Sequence, residues 1–531
     1  YYGEISNQLK DLGFNNIYIF SYADVNDQTY SKKYFIDKMC DLSIYECLKI
    51  DKDFKNKFIN DFSLIYGNRE EVQYQPIKKT NSSEKSVLIM AYSFPPLAGS
   101  GVQRTLKFVK YMKEYGWNPI VVTVGEDYCS IERDYSLLNE IPDDVEIHRI
   151  DHRYINSEQL DQEIAQQIFN LLYGVINYED IANQYLFKIK RNNCAERSRI
   201  IEPDKYIPWV NHVLGSIEEI IDFRNIDVVY TTSGPYSAHI AGYYIKRKYN
   251  IPWVADFRDE WSNNQKAEYF FKGDEFRIKL HRSMEQNIVN FADKVIAVTP
   301  ISSQNYRDLF KLPYDKMETI TNGYDEEDFK NITRGKLYRK KFNILFYGLL
   351  YAQNVYLDNL IVAINQLIDE KLVKVDQMEM NLIGKIDIDI KDTFDKVDVY
   401  NIIKYHGYKP HLECISMGSK SNILLLPSGP DKGFFPVYLG KTFEYLRLGK
   451  PILAIVPRNG AMEQLLEETR SGKNFEYNDI EGMKSYILKY YNEWLKGESS
   501  FNPDFENISQ FERRKLTEKL VNLFNELADK I

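Results

Sequence analysis

The chain has 531 residues, and its 68 Lys and Arg against 77 Asp and Glu leave a formal charge of −9 with histidines neutral. Apolar residues at 44% and charged residues at 27% are globular proportions that exclude a wholly disordered chain. The acidic balance argues against a nucleic-acid partner, while five cysteines without CxxC spacing and seven histidines without HExxH argue against a disulfide frame, a zinc site and metal chemistry.

In chain order, residues 1–80 read as an N-terminal extension of unknown role. They resemble the tail of a fused domain, with a strand candidate at Ile17–Phe20, a helix candidate at Lys33–Ile50 and a polar linker at Lys78–Ser86. The first residue is Tyr1 rather than methionine, which reads as a fragment. No signal-peptide pattern stands at the start, and no apolar run reaches the ~18 residues of a membrane helix, so a cytoplasmic protein is expected. The heavy use of Tyr, Asn, Lys and Ile describes the coding sequence rather than the function.

From Ser86 the pattern becomes one of short buried strands alternating with helices. Ser86–Tyr92 (SVLIMAY) is a strand, a Pro/Gly loop follows, and a helix is predicted from Val102 to Tyr115. Further strands are predicted at Ile120–Val124, Asp227–Thr231, Trp253–Asp256, Lys294–Val298 and Glu318–Thr321, with helices at Ala238–Tyr249 and His281–Phe291. The stretch Ile155–Ala195 reads as a helical insertion on the sheet. Within it Phe169, Leu171, Leu172, Val175 and Ile176 suit packing rather than membrane docking. Lys107, Lys110 and Lys113 share one helix face and read as solvated, the alternative being contact with an anionic membrane.

Lys330–Lys341 is a polar, basic linker, after which a second series begins. Its strands are predicted at Phe342–Tyr347, Glu379–Ile383, Ile402–His406, Asn422–Pro427 and Pro451–Ile455. Its helices are predicted at Leu357–Asp369, Thr442–Leu448, Glu481–Leu495 and Phe511–Ala528. Alternating strands and helices give an α/β chain with two Rossmann-like parallel-sheet domains, 86–330 and 342–500, and a C-terminal helix in 501–531. Two such domains place ligands in the cleft between the carboxyl ends of their strands.

Three clusters carry the chemistry. In FPPLAGSGVQR (Phe94–Arg104), glycines let a backbone approach a ligand, and the following helix offers free N–H groups to an anion. A plain strand-to-helix turn would use the same residues. The segment is neither GxGxxG nor a P-loop, so dinucleotide and ATP readings lose weight. TTSGPYSAHIAG (Thr231–Gly242) and IPWVADFRDEW (Ile251–Trp261) place His239, Asp256, Arg258, Asp259 and Glu260 near strand ends. There a guanidinium can pair with a diphosphate and a carboxylate can accept from sugar hydroxyls, or an Arg–Asp pair can simply close a loop. The third cluster, Gly440–Pro451, holds Lys441 and Glu444.

Together with PDKYIPW (Pro203–Trp209) and TNGYD (Thr321–Asp325), these motifs resemble the bacterial family 4 glycosyltransferases of GT-B fold. The likeness is to the subgroup with DFRD-W and SGP-S-H motifs that acts in surface polysaccharide assembly, and it extends over about residues 86–500. It implies a donor domain at 342–500 facing an acceptor domain at 86–330. The activity it implies is transfer of a sugar from a nucleotide-sugar donor to a glycan or lipid-linked acceptor, with retention and without metal or other cofactor. Peripheral contact with the inner face of the membrane is the form any membrane association would take.

By resemblance, Arg258, Asp256 and His239 are the catalytic candidates. Gly99, Ser100, Gly101, Gly348, Asp431, Lys441 and Glu444 are the donor-binding candidates, with Glu444 on the ribose. Tyr236 and Pro436 depart from the pattern, standing where relatives carry histidine and glutamate, and Asp431 could substitute for that glutamate. The loop after Gly348 lacks the usual basic residue, so Arg258 and Lys441 become the candidates for the countercharge. A GT-B nucleotide-sugar epimerase and a catalytically weak nucleotide-sugar-binding subunit are the rival readings.

Overall fold

The computed structural model describes residues 84–126, 133–151, 162–191, 201–264, 271, 273–332, 340–350, 357–429 and 432–530. The elements expected within the N-terminal extension lie outside these residues.

Two parallel sheets organise the chain. The first contains β1 (Lys85–Met90), β2 (Trp117–Val124), β3 (Glu146–Ile150), β4 (Val228–Thr232), β5 (Trp253–Phe257), β6 (Lys294–Ala297) and β7 (Met317–Thr319), in the order β3-β2-β1-β4-β5-β6-β7. The second contains β8 (Phe342–Tyr347), β9 (Met378–Ile383), β10 (Ile403–Tyr405), β11 (Ile423–Pro427), β12 (Ile452–Ile455) and β13 (Gly472–Asn474), in the order β10-β9-β8-β11-β12-β13. The inner strands are apolar on both sides because helices cover both faces, and so they read as continuous apolar runs.

In each sheet the chain winds outward one way from the first strand and then returns to wind the other way. That leaves a crevice at the carboxyl ends between β1 and β4, and a matching one between β8 and β11. The two-domain α/β expectation is observed, with most strand limits within two residues of those read from the pattern. β3 and β13 escaped because neither is a continuous buried apolar run.

The insertion helices Gln162–Tyr173 and Glu179–Arg191 belong to the first domain. Phe169, Leu172, Val175 and Ile176 are buried in its core with Trp209 and Trp253.

One expectation changes, and the C-terminal helix acquires a place in the fold. The helix Arg513–Ala528 returns to the first domain. It packs Leu516, Leu520, Val521 and Phe524 on Val87, Ile89, Val228 and Tyr230 of the first sheet. Phe524 lies 5.3 Å from the Trp117 ring, and Trp117 Nε1 donates to Asn525 Oδ1 at 3.0 Å. The chain therefore crosses between domains twice, and the crossings touch: Tyr324 N donates to Phe511 O at 3.1 Å and Arg513 N to Tyr324 O at 2.9 Å.

The lysine face of the helix Ser100–Met112 is not solvated. Lys107 is buried, and its ammonium lies 2.7 Å from Asp325 Oδ2 and close against Glu140. Lys110 reaches Asp325, Glu140 and Glu327, each within 3.0 Å. These ion pairs tie the helix to the interdomain segment and leave neither lysine for a membrane surface. Lys113 pairs with Asp144 instead.

Candidate functional site

At the first crevice, β1 ends in a loop that reaches Gly99 at φ 119°, a backbone conformation open to glycine, and the helix Ser100–Met112 starts at once. Opposite it, β4 runs into Ser233 and Gly234, and β5 runs into Arg258. The half-buried Arg258 side chain lies across both loops. Its Nε donates to Ser233 O, its Nη2 to Gly234 O at 2.9 Å, and its backbone N to Ser233 Oγ at 3.0 Å. A β-carbon at Gly101 or Gly234 would collide with the guanidinium, so both glycines make room for Arg258. The predicted Gly99, Gly101 and Arg258 are thus brought together. Ser100 opens the helix, and its side chain lies outside the described residues.

Asp256 and His239 sit beneath this group with no exposed surface. Asp256 is held bidentately by Arg104, at 2.8 and 2.9 Å, and also accepts from Tyr230 Oη at 2.5 Å and Thr232 Oγ1 at 3.1 Å. Burial opposes its charge, but the Arg104 guanidinium prevails and its carboxyl titrates below the ordinary range. His239 Nδ1 lies 2.7 Å from Thr231 Oγ1, and burial pulls the imidazole down to about 3, so it is neutral at working pH. Neither group offers a substrate any surface here. The catalytic candidates Asp256 and His239 are thus both enclosed: Asp256 anchors Arg104 under the loop, and His239 packs 4.3 Å from the Phe257 ring with its Nε2 lacking a hydrogen-bond partner among the described residues.

The second crevice holds the donor candidates. Gly348 follows β8 with φ 128°. Gly384 follows β9 with φ 112° and has no room for a β-carbon against Gly348 O. Lys441 caps the helix Thr442–Leu448, and its Nζ lies 2.7 Å from where a Gly348 β-carbon would stand. The same ammonium sits 3.6 Å from the Phe346 ring centroid. The loop after Gly348 carries no basic residue of its own, and the nearby ammonium is that of Lys441. Burial pulls Lys441 down to about 7, although Glu444 opposes the shift.

Glu444 is 19% exposed. Its Oε2 accepts from Tyr347 Oη at 2.7 Å, and its Oε1 lies 2.8 Å from His411 Nε2. Burial raises its titration, but the His411 and Tyr347 contacts outweigh it and the carboxyl falls below its ordinary value. His411 shows the reverse balance: burial lowers it, while Glu444 and then Asp328 push it up to about 9. Asp431 lies outside the described residues.

The two domains touch near their crevices. Thr299 Oγ1, just past β6, donates to Pro436 O at 2.8 Å, and Arg447 pairs with Glu326 of the interdomain segment at 2.6 Å. Among the described residues no three His, Cys, Asp or Glu side chains gather as a metal-ligand group. Sequence reasoning missed Arg104, Tyr347 and His411. Arg104 was the last residue of a quoted motif. His411 is 33 positions from Glu444 and carried no signal of its own.

Residues 181–328 match the family described as Glycosyltransferase Family 4, a span that includes the loops around Ser233 and Arg258. No curated protein matches the sequence. The fold is similar to that of a glycosyltransferase from Rickettsia africae ESF-5, at 17% identity and TM-score 0.53 over 84% of this chain and 99% of that one. It is also similar to a sucrose-phosphate synthase from Thermosynechococcus elongatus, at 12% identity and TM-score 0.54 over 84% and 100% of the two chains. Anabaena HepE, solved in complex with UDP-glucose, is similar at 14% identity and TM-score 0.52 over 83% of this chain and 99% of that one. The shared feature is the GT-B arrangement of two parallel-sheet domains.

Proposed function

We propose that this chain is a glycosyltransferase, similar to family 4, that moves a sugar from a nucleotide-sugar donor to an acceptor hydroxyl. The observation that carries the reading is the placement of Lys441 Nζ beside Gly348 at the second crevice, with Arg258 packed against Gly101 and Gly234 at the first. The family 4 match over 181–328 supports the reaction class. HepE, which was solved with UDP-glucose, makes a uridine diphosphate sugar the first donor to test.

The second domain holds the nucleotide. Glu444 accepts from ribose hydroxyls, and Lys441 meets the diphosphate where Gly348 lets it approach the backbone. During transfer the bond between the anomeric carbon and the β-phosphate oxygen breaks, and its electron pair leaves with the nucleoside diphosphate. The acceptor oxygen forms the new bond and gives its proton to the departing phosphate oxygen. Negative charge grows on the leaving oxygen in this step, and a positive group placed there in advance lowers the barrier. Arg258 provides that group from the first domain when the cleft closes.

Retention of configuration, independence of metal, and a glycan or lipid-linked acceptor in surface polysaccharide synthesis complete the reading. Among the described residues no helix is long and apolar enough to cross a membrane. In this reading a lipid-linked acceptor is met at the membrane's inner face. The test is chromatography of purified protein with UDP-glucose and related donors, with and without an acceptor extract and EDTA. Acceptor-dependent release of nucleoside diphosphate that survives EDTA is expected. Release of an epimerised free sugar, or no turnover with any donor, would refute the assignment.

A further inference from the structure

At the second crevice both oxygens of the Glu444 carboxylate are already occupied once. Tyr347 Oη donates to one at 2.7 Å and His411 Nε2 stands 2.8 Å from the other. A carboxylate oxygen has two lone pairs, so each keeps one for a further donor. The two partners come from different elements: Tyr347 ends β8, and His411 opens the helix His411–Ser419 after Pro410. Together they hold the carboxylate from opposite ends and remove its freedom to rotate. A planar acceptor locked in this way presents two parallel positions, which matches a pair of neighbouring hydroxyls. His411 is 45% exposed, so it stands at the rim and not in the core.

We propose that His411 and Tyr347 form a clamp that positions Glu444 for the ribose diol, making His411 a determinant of selectivity for ribonucleotide over 2′-deoxyribonucleotide donors. This rests on the reading of Glu444 as the ribose ligand. The imidazole is suited to the role, because its displacement up to about 9 keeps both ring nitrogens protonated at neutral pH and Nε2 a donor. Asp328, from the turn Glu326–Phe329, supports that charge and Lys107 opposes it. Without His411 the carboxylate would keep one anchor and could turn about its terminal bond. The cost then falls on recognition of two hydroxyls more than on general attraction for a nucleotide.

The test compares calorimetric affinities of UDP, GDP and ADP with those of their 2′-deoxy forms, using the pair whose ribo member binds wild type most tightly. Wild type should prefer the ribo form by about tenfold or more, the worth of one charge-assisted hydrogen bond. In His411→Ala the preference should fall to about twofold or less, and His411→Gln, which keeps a donor, should restore part of it. Tyr347→Phe retains the ring in the core and should also narrow the preference, so the clamp stays testable if one variant is unstable. An unchanged ratio in folded His411→Ala, even with both affinities lowered together, would overturn the clamp and leave His411 a structural residue. A wild-type ratio near one would overturn it too while leaving nucleotide binding standing. No binding by any of the nucleotides would instead sink the donor reading itself.

Discussion

Single side chains decide how this cleft would treat a nucleotide diphosphate. Lys441, pulled down to about 7 by burial, is near half-protonated in the empty site at neutral pH. A bound diphosphate favours the charged form, so binding above pH 7 must take up a proton. Affinity should therefore fall as pH rises from 7 to 8.5, by up to about tenfold per unit. Calorimetry in buffers of different ionisation enthalpy should detect the proton in wild type and lose it in Lys441→Met. Glu444→Ala should weaken nucleoside diphosphate binding by ~1.5–3 kcal/mol, the worth of a hydrogen bond to a charged group, with the fold retained. An unchanged dissociation constant would remove Glu444 from the ribose site.

Elements matter where loops from different strands meet. Arg258 follows β5, Gly234 follows β4 and Gly101 lies in the first turn of the helix after β1, and the two glycines leave the space that Arg258 needs. Gly101→Ala should therefore fold, since the atom it displaces is the far end of a flexible side chain, but it should move the guanidinium. Thermal denaturation is expected to show a midpoint close to wild type while turnover falls. Wild-type turnover would mean that Arg258 is not where the charge is needed. Arg258→Lys should keep donor binding and raise the barrier by ~2–4 kcal/mol, because a point charge replaces a planar fork. Asp256→Ala should behave differently, leaving Arg104 buried without its partner. A loss of ~3–5 kcal/mol in denaturant unfolding is expected, with activity lost through folding rather than chemistry.

For the whole molecule, the returning helix Arg513–Ala528 makes the C-terminal segment part of the first domain's core. Phe524→Ala should cost ~3–5 kcal/mol, since the ring is fully buried between Trp117 and Tyr230. Hydrogen exchange should then accelerate in β1, β2 and β4 more than in β8 and β11. Equal acceleration in both sheets would mean that the two domains unfold as one unit. The contacts of Thr299 with Pro436 and of Arg447 with Glu326 lie where the domains meet, so they are among those a closing cleft would have to rearrange.

Apolar runs such as Ser86–Tyr92 and Phe342–Tyr347 were enough to read the two parallel sheets, because a strand covered on both faces must be apolar throughout. The Gly99–Gly101 turn stood out in the sequence as a strand-to-helix loop, while Gly348, Lys441 and Glu444 were candidates through the family resemblance; the folded chain brings Lys441 beside Gly348 and Arg258 beside Gly101. Partners distant in sequence were not legible. Lys107 looked solvated because helical spacing says which residues share a face and nothing about what packs on it; Asp325 and Glu140 came from other elements. The pairing of Asp256 with Arg104 was hidden for a similar reason, since only the folded chain brings the two together and closes them from solvent. His411 had no motif, and its meaning arises when β8 and two helices bring Tyr347, Glu444 and His411 within hydrogen-bond reach. Local pattern thus determined the sheets and the loops that line the cleft. Which charges are paired, buried or left facing it was decided by long-range packing, because burial and pairing depend on neighbours that no local spacing encodes.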